Sequence, residues 1–411
     1  MPHYHDVNYV MLYSYALAGQ CAILFGYWLG LRKPPSGYRG RIVSAGRLLT
    51  LATFISLVLV VPQLLYKDSS GVSITDAIAD PGLAYDEKFS SESDALWLTI
   101  ITMLTAPLTV HLLPLGIMKW REMRFVRRAV LLISLAGTYI LPGLLLGTNK
   151  TIFDFVLPLP WLIALATYDG EWRVASRRPT SIIRRSRAVQ AVLLPLMTVV
   201  VVAAGVFYFS FTMASREGKY HEKYHVVNSH RNGWSQAYGV RLPDFAESTI
   251  WSLCKYTSQG YDGLAGCLEL PFEWCYGYGN SAFITRTAQR LLPHAYIASR
   301  DRAGFAANSY PVRLDTTTRY NVNMFWHTIY PWIASDLTFP GAIVFIGVMA
   351  FYLAQAWADA LRGENPFAFT MVALLSLMFA YIPANNIILF HPNSLSAFLV
   401  CFAAWRWTRC A

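Results

Sequence analysis

Apolar runs long enough to cross a bilayer recur along most of this chain. Residues 7–31, 48–66, 95–118, 129–149, 188–215 and 337–358 each read as one spanning helix, since a span needs roughly 20 predominantly apolar residues. Residues 151–168 form a further run, with Asp154 near its start. Residues 365–405 are long enough for two helices. They divide at "PANNIILFHPNS", where Pro383, Asn385, Asn386, Pro392 and Asn393 signal a turn. The pattern predicts an all-α polytopic membrane protein of about nine spans. Re-entrant segments would raise the count to about eleven. Polar positions dominate only in 216–336, so the chain divides into N-terminal spans (1–215), a large extramembrane segment (216–336) and C-terminal spans (337–411).

Composition agrees with this pattern. Charged residues make up 14% of the chain, against about 25% in soluble domains. The opening "MPHYHDVNYV" has no basic region and no small-residue cleavage site follows the first run, so that run is expected to be a retained helix. Basic loops fix the expected orientation. "LRKPPSGYRGR", "KWREMRFVRR", "EWRVASRRPTSIIRRSR" and the tail "RWTRCA" all fall on one side when nine spans are threaded with the C-terminus inside. The acidic loop "KDSSGVSITDAIADPGLAYDEKFSSESD" falls on the other side, with the N-terminus and 216–336. The net charge of +10 is thereby explained as topology, without nucleic acid as a partner.

Candidate chemistry lies in 216–336. "HEKYH" matches H-E-x-x-H through His221, Glu222 and His225. That spacing places two imidazoles on one helix face for zinc. Its surroundings are polar, so a solvated juxtamembrane helix is the expected reading. Cys254, Cys267 and Cys275 lie near one another in sequence, but no C-x-x-C occurs and an odd number leaves one thiol over. "YTSQGYDGLAGCLELPFEWCYGYGNS" (256–281) fits neither a phosphate loop nor a nucleophile elbow. Its glycines permit close backbone approach, and its aromatics can cover a sugar ring or a polyprenyl chain. The alternative is a packed re-entrant corner in which the glycines serve helix contact. Arg286, Arg290, Arg313 and Arg319 supply planar cations suited to phosphate oxygens. Asp336 stands at the mouth of the seventh span, where an ionisable group is costly unless paired or functional. His327, nine residues upstream, is a second candidate proton acceptor. Lys150 and Asp154 are spaced for an i,i+4 pair, and Lys150 is also a candidate for an anionic ligand.

These residues carry a resemblance. "YTSQGYDGLAGCLELPFEWCYGYGNS", "FWHTIYPWIASDLTFPG" and "GTNKTIFDF" resemble segments of bacterial oligosaccharide repeat-unit (O-antigen) polymerases, and the layout of many helices around one dominant outer loop is similar. The N-terminus expected outside departs from the drawn topology of that family. The resemblance implies a GT-C-like glycosyltransferase of the bacterial inner membrane, multi-pass, with its active site facing the periplasm. Its substrates would be two undecaprenyl-diphosphate-linked oligosaccharides. The growing chain would be moved en bloc onto a hydroxyl of the acceptor unit. It also implies membrane lipid and a chain-length regulator protein as partners. By this reading Asp336 or His327 takes the hydroxyl proton. Arg286, Arg290, Arg313, Arg319 and Lys150 face the diphosphate. Gln259, Tyr261, Glu273, Trp274, Tyr278 and Trp326 hold glycan. Arginine can do the electrostatic work of a metal, so neither metal nor other cofactor is expected. Other classes stay open: a polysaccharide ligase with the same donor, a polyprenyl-phosphate-sugar glycosyltransferase using Asp86 and Glu87 of the acidic loop, and a non-enzymatic lipid-linked oligosaccharide transporter.

Overall fold

A helix satisfies its own backbone hydrogen bonds, which is why isolated apolar segments adopt it in lipid. The computed structural model describes residues 8–36, 43–68, 73–90, 96–175, 199–200, 202–213, 215, 244–281, 304–318, 320, 322, 326–362 and 365–409. Among them no strand occurs, and six helices are long and apolar enough to cross a membrane: Tyr9–Arg32, Ala45–Leu64, Trp97–Glu122, Phe125–Leu145, Lys150–Thr167 and Ile329–Leu361. Val202–Met213 and Pro366–Ala380 are shorter and apolar. The chain is an all-α, multi-pass membrane protein. Much of the expected sixth span lies outside the described residues. The turn expected near 383–393 separates the helices Pro366–Ala380 and Pro392–Thr408, with the short helix Ile387–Phe390 inside it.

Contacts group the chain into two units, 43–254 and 1–42 with 255–411. The first unit holds four of the long spans. Its Phe125–Leu145 span contains a π-helical turn, Ala136–Ile140, just before Pro142. Proline has no N–H to give to the preceding turn, and a widened turn is one way to absorb that loss. Lys150 and Asp154 pair at 2.6 Å, on the expected i,i+4 spacing. At the same turn, Thr212 donates to Asn149 Oδ1 at 2.6 Å.

The second unit explains why the first helix leaves its sequence neighbours. Tyr9–Arg32 packs along Ile329–Leu361. A Cβ on Gly26 would strike the Gly347 carbonyl, and one on Gly30 would strike the carbonyl of Phe351. Small residues are what let two spanning helices approach this closely.

Ile329–Leu361 is broken near one end. Thr338 has φ 64° and ψ 166°, two residues before Pro340. A β-branched residue in that region costs on the order of 1–3 kcal/mol. Thr338 Oγ1 accepts the Gly341 N–H at 3.4 Å, so it also caps the longer segment that follows. Toward the other end, Asp359 is 2% exposed. It accepts from the Ser36 N–H and from Trp405 Nε1, both at 2.9 Å, and pairs with Arg409 Nε at 3.0 Å. A buried carboxylate is tolerated where donors replace its water in this way.

Candidate functional site

The segment 256–281 holds two kinds of structure. Its first half completes the helix Asp244–Leu268. Glycines there serve packing: Gly260 lies against the Pro383 carbonyl, Gly263 against the rings of His327 and Tyr320, and Gly266 against Leu314. The Thr328 N–H donates to the Gly260 carbonyl at 3.2 Å, which draws the approach to Ile329–Leu361 onto this helix.

The second half, 269–281, is a loop and the start of a helix (278–281), folded around one carboxylate. Tyr276 (φ 54°) and Gly277 (φ 87°) are successive left-handed residues, and they curl the chain back toward Asp336. Asp336 Oδ1 accepts the Gly277 N–H at 2.6 Å and the Cys275 thiol at 3.0 Å, while Oδ2 accepts Asn280 Nδ2 at 2.7 Å. Asn280 Oδ1 in turn accepts Asn386 Nδ2 at 3.0 Å. Asn386 Oδ1 accepts the Leu389 N–H at 3.4 Å and caps the helix Ile387–Phe390. A carboxylate only accepts, whereas an amide both donates and accepts. Asp336 therefore sets which way Asn280 faces, and Asn280 sets Asn386. Cys275 N–H also donates to the Ser335 carbonyl at 3.3 Å, and Cys275 Sγ accepts the Gly279 N–H at 3.2 Å. Burial and the adjacent Asp336 push the Cys275 thiol well above its ordinary value. It is thus a protonated donor at neutral pH rather than a nucleophilic thiolate.

The outer face of the same loop is open and aromatic. Trp274 is 54% exposed and Tyr276 53%. Their rings stack at 4.6 Å, and Phe305 tilts onto Tyr276 at 4.9 Å. Asn308 Nδ2 donates to the Trp274 carbonyl at 3.1 Å. In the same loop, Arg313 Nη2 pairs with Glu273 Oε1 at 2.9 Å, and Arg313 Nη1 donates to the Pro271 carbonyl at 2.6 Å. This arrangement can stack a flat apolar face, accept from hydroxyls at Glu273 and meet an anion at Arg313.

The residues singled out from sequence fare differently. Asp336, Glu273, Trp274, Tyr278 and Arg313 come together at this loop. Tyr278 is buried with Cys275 against Phe305, Ala306 and Phe390, so its ring is core and not part of the open face. His327 is buried and packs edge-on to Tyr320 at 5.0 Å and Trp332 at 6.4 Å. The Tyr320 hydroxyl donates to the carbonyls of Gln259 and Trp326, at 2.7 and 3.0 Å, which ties those two segments to His327. Tyr261 is half-buried. Lys150 belongs to the other unit and is paired with Asp154. Arg286, Arg290 and Arg319 lie outside the described residues, as do His221, Glu222 and His225. None of the five described cysteines is in a disulfide. Sequence reasoning missed Asn280 and Cys275 as partners of Asp336, and Phe305 as part of the open face. The dense "CYGYGN" string was the available signal for the first two. No protein-family model, no curated protein and no solved structure matches the chain.

Proposed function

We propose that this protein is a membrane glycosyltransferase of the repeat-unit polymerase type. It moves a polyprenyl-diphosphate-linked glycan onto a lipid-linked acceptor at the outer face of the bacterial inner membrane. The observation that carries the proposal is the exposed stack of Trp274 and Tyr276, backed by the partly buried Phe305, beside the Glu273–Arg313 pair. Solvent-exposed stacked rings are costly for a soluble loop to display, and they match the apolar face of a sugar. In this reading the stack holds glycan, and Glu273 accepts from its hydroxyls. Arg313 meets diphosphate charge as the lipid departs, where a fixed cation stabilises the transition state. Asp336 serves as a positioning residue, because its oxygens are engaged by the loop that carries the stack. The resemblance of the 256–281 and 325–341 segments to O-antigen polymerases supports the choice of donor and acceptor.

The test is glycan assembly from a purified lipid-linked repeat unit. Wild-type protein should lengthen chains. Trp274→Ala and Tyr276→Ala should each slow growth by about 3- to 10-fold, the worth of one aromatic stacking contact, with melting temperature nearly unchanged because both rings are exposed. Normal chain growth by the double variant, or no lengthening by the wild type, would overturn the proposal.

A further inference from the structure

The start of the helix Ala45–Asp68 and the start of Phe125–Leu135 come together within the 43–254 unit. Both border one groove of about 690 Å³, lined by Ser44, Arg47, Leu51, Phe54 and Arg127 among others. The groove lies wholly in the 43–254 unit, and the loop 269–281 belongs to the other unit. Arg47 sits in the first turn of the helix Ala45–Asp68 and Arg127 in the first turn of Phe125–Leu135. Both helices are the starts of membrane spans. Below the two cations the lining turns apolar and open: Leu51 is 44% exposed and Phe54 64%. At 1.5 Å per residue these lie about 6 and 10 Å deeper along the span than Arg47.

The neighbouring Arg128 is tied to Trp120. Its Nε donates to the Trp120 carbonyl at 3.1 Å and its guanidinium lies 5.4 Å from the Trp120 ring. The pair joins the end of Trp97–Glu122 to the start of Phe125–Leu145, and tryptophan and arginine are both enriched near the ends of spans. Arg47 and Arg127, by contrast, have no carboxylate partner among the described residues. Two cations without a carboxylate partner among the described residues, in the first turns of two apolar helices and over an exposed apolar floor, complement an amphiphile with an anionic head.

We propose that this groove binds an anionic phospholipid of the surrounding membrane, its phosphate between Arg47 and Arg127 and an acyl chain along Leu51 and Phe54. A free phosphate would satisfy the cations but leave the apolar floor uncovered. A zwitterionic lipid would cover the floor but add a positive charge beside the arginines. Basic pockets between spans are a known means of selecting anionic headgroups.

The experiment uses the full chain purified in neutral detergent and titrated with phosphatidylglycerol or phosphatidylcholine, with bound lipid counted by native mass spectrometry. Phosphatidylglycerol should be retained over phosphatidylcholine. Arg47→Gln and Arg127→Gln should each weaken retention about five-fold, and together about thirty-fold, from the worth of one basic residue at an anionic surface. Arg121→Gln, an exposed arginine outside the groove lining, should leave retention unchanged. If the double glutamine variant is not monodisperse, the single variants decide, and Arg47→Lys with Arg127→Lys should keep most of the retention. Equal retention of the two lipids, or unchanged retention in the glutamine variants, would overturn the proposal. Displacement by millimolar inorganic phosphate would overturn it as well, by showing a site for a small soluble anion.

Discussion

Asp336→Asn is the substitution that separates a positioning carboxylate from a proton acceptor. The variant keeps one oxygen, enough for the Gly277 N–H and the Cys275 thiol. Its new amide nitrogen, however, faces Asn280 Nδ2, so two donors meet at 2.7 Å. Asn280 can flip only by turning its own nitrogen toward Asn386 Nδ2. Asn386 can then flip only by giving up the cap on Leu389. The conflict has no cheap exit within the chain of amides. Bonds to charge are worth about 1.5–3 kcal/mol and neutral ones about 0.5–1.5, while a donor left unsatisfied costs about 1–3. The half-exposed position lets water relieve part of this, so the expected loss is about 2–4 kcal/mol. Thermal unfolding of purified protein should show a drop of several degrees, and Cys275 should become easier to alkylate. The decisive variant is Asp336→Asn with Asn280→Asp. There the new amide donates to the new carboxylate, whose second oxygen still accepts from Asn386, so every donor meets an acceptor again. At least half the lost stability should return, and chain growth with it. If the single variant melts like the wild type, the amide chain is not what holds the loop. If the double variant is stable but makes no chains, Asp336 is the catalytic base and its role as a positioning residue is refuted.

Two further outcomes follow from the same contacts. Burial and Asp336 raise the pKa of Cys275 in the fold above the value of about 8.5 for an unfolded thiol. The folded state therefore holds a proton that the unfolded state releases, and the contribution of Cys275 is complete below about pH 8.5 and lost as pH rises through its folded pKa. Wild-type melting temperature should fall between pH 8 and pH 10 more than that of Cys275→Ser, and parallel curves would refute the assignment. Gly26→Leu should force the first helix off Ile329–Leu361, because even a Cβ would strike the Gly347 carbonyl. A loss of at least about 1–3 kcal/mol is expected for such overpacking, read as a lower melting temperature, and an unchanged melt would show that the two helices do not pack as described.

The spans were legible because their cause is local. A run of apolar residues of the right length is both the signal and the physical reason for the helix, and 9–32, 45–64, 125–145 and 150–167 follow their sequence patterns within a few residues. The turn in 381–393 was legible for the same reason, since Pro383 and Pro392 restrict the backbone wherever they stand. The grouping of helices was not. Gly26 and Gly30 look like ordinary small residues of a span. Only the approach of Gly347 and Phe351, more than 300 positions away, makes them a contact surface. The same holds for Asp359, which follows the apolar run 337–358 in sequence and is held by Ser36, Trp405 and Arg409.

Asp336 shows how far a cost argument reaches. A carboxylate at a membrane boundary must be compensated, and the sequence is enough to say so. Function is one form of compensation and a complete set of donors is another, and the two look alike until the donors are located. Here they come from a loop 56 to 61 residues earlier. That loop can present them only because Tyr276 and Gly277 are left-handed, and because Gly279 lets its backbone reach the Trp332 carbonyl. Gly260, Gly263, Gly266 and Gly279 thus allow close packing and Gly277 makes the turn, while Trp274 and Tyr276 stay exposed and Tyr278 is buried. Asp336 then links the two roles. It fixes the inner side of the loop, and in doing so it holds Trp274 and Tyr276 in a stack facing water. A substrate-binding surface built this way depends on a partly buried charge that never needs to touch substrate. Activity loss on mutating Asp336 alone would accordingly be no evidence of catalysis, and restoration by the exchanged pair is the observation that distinguishes the two.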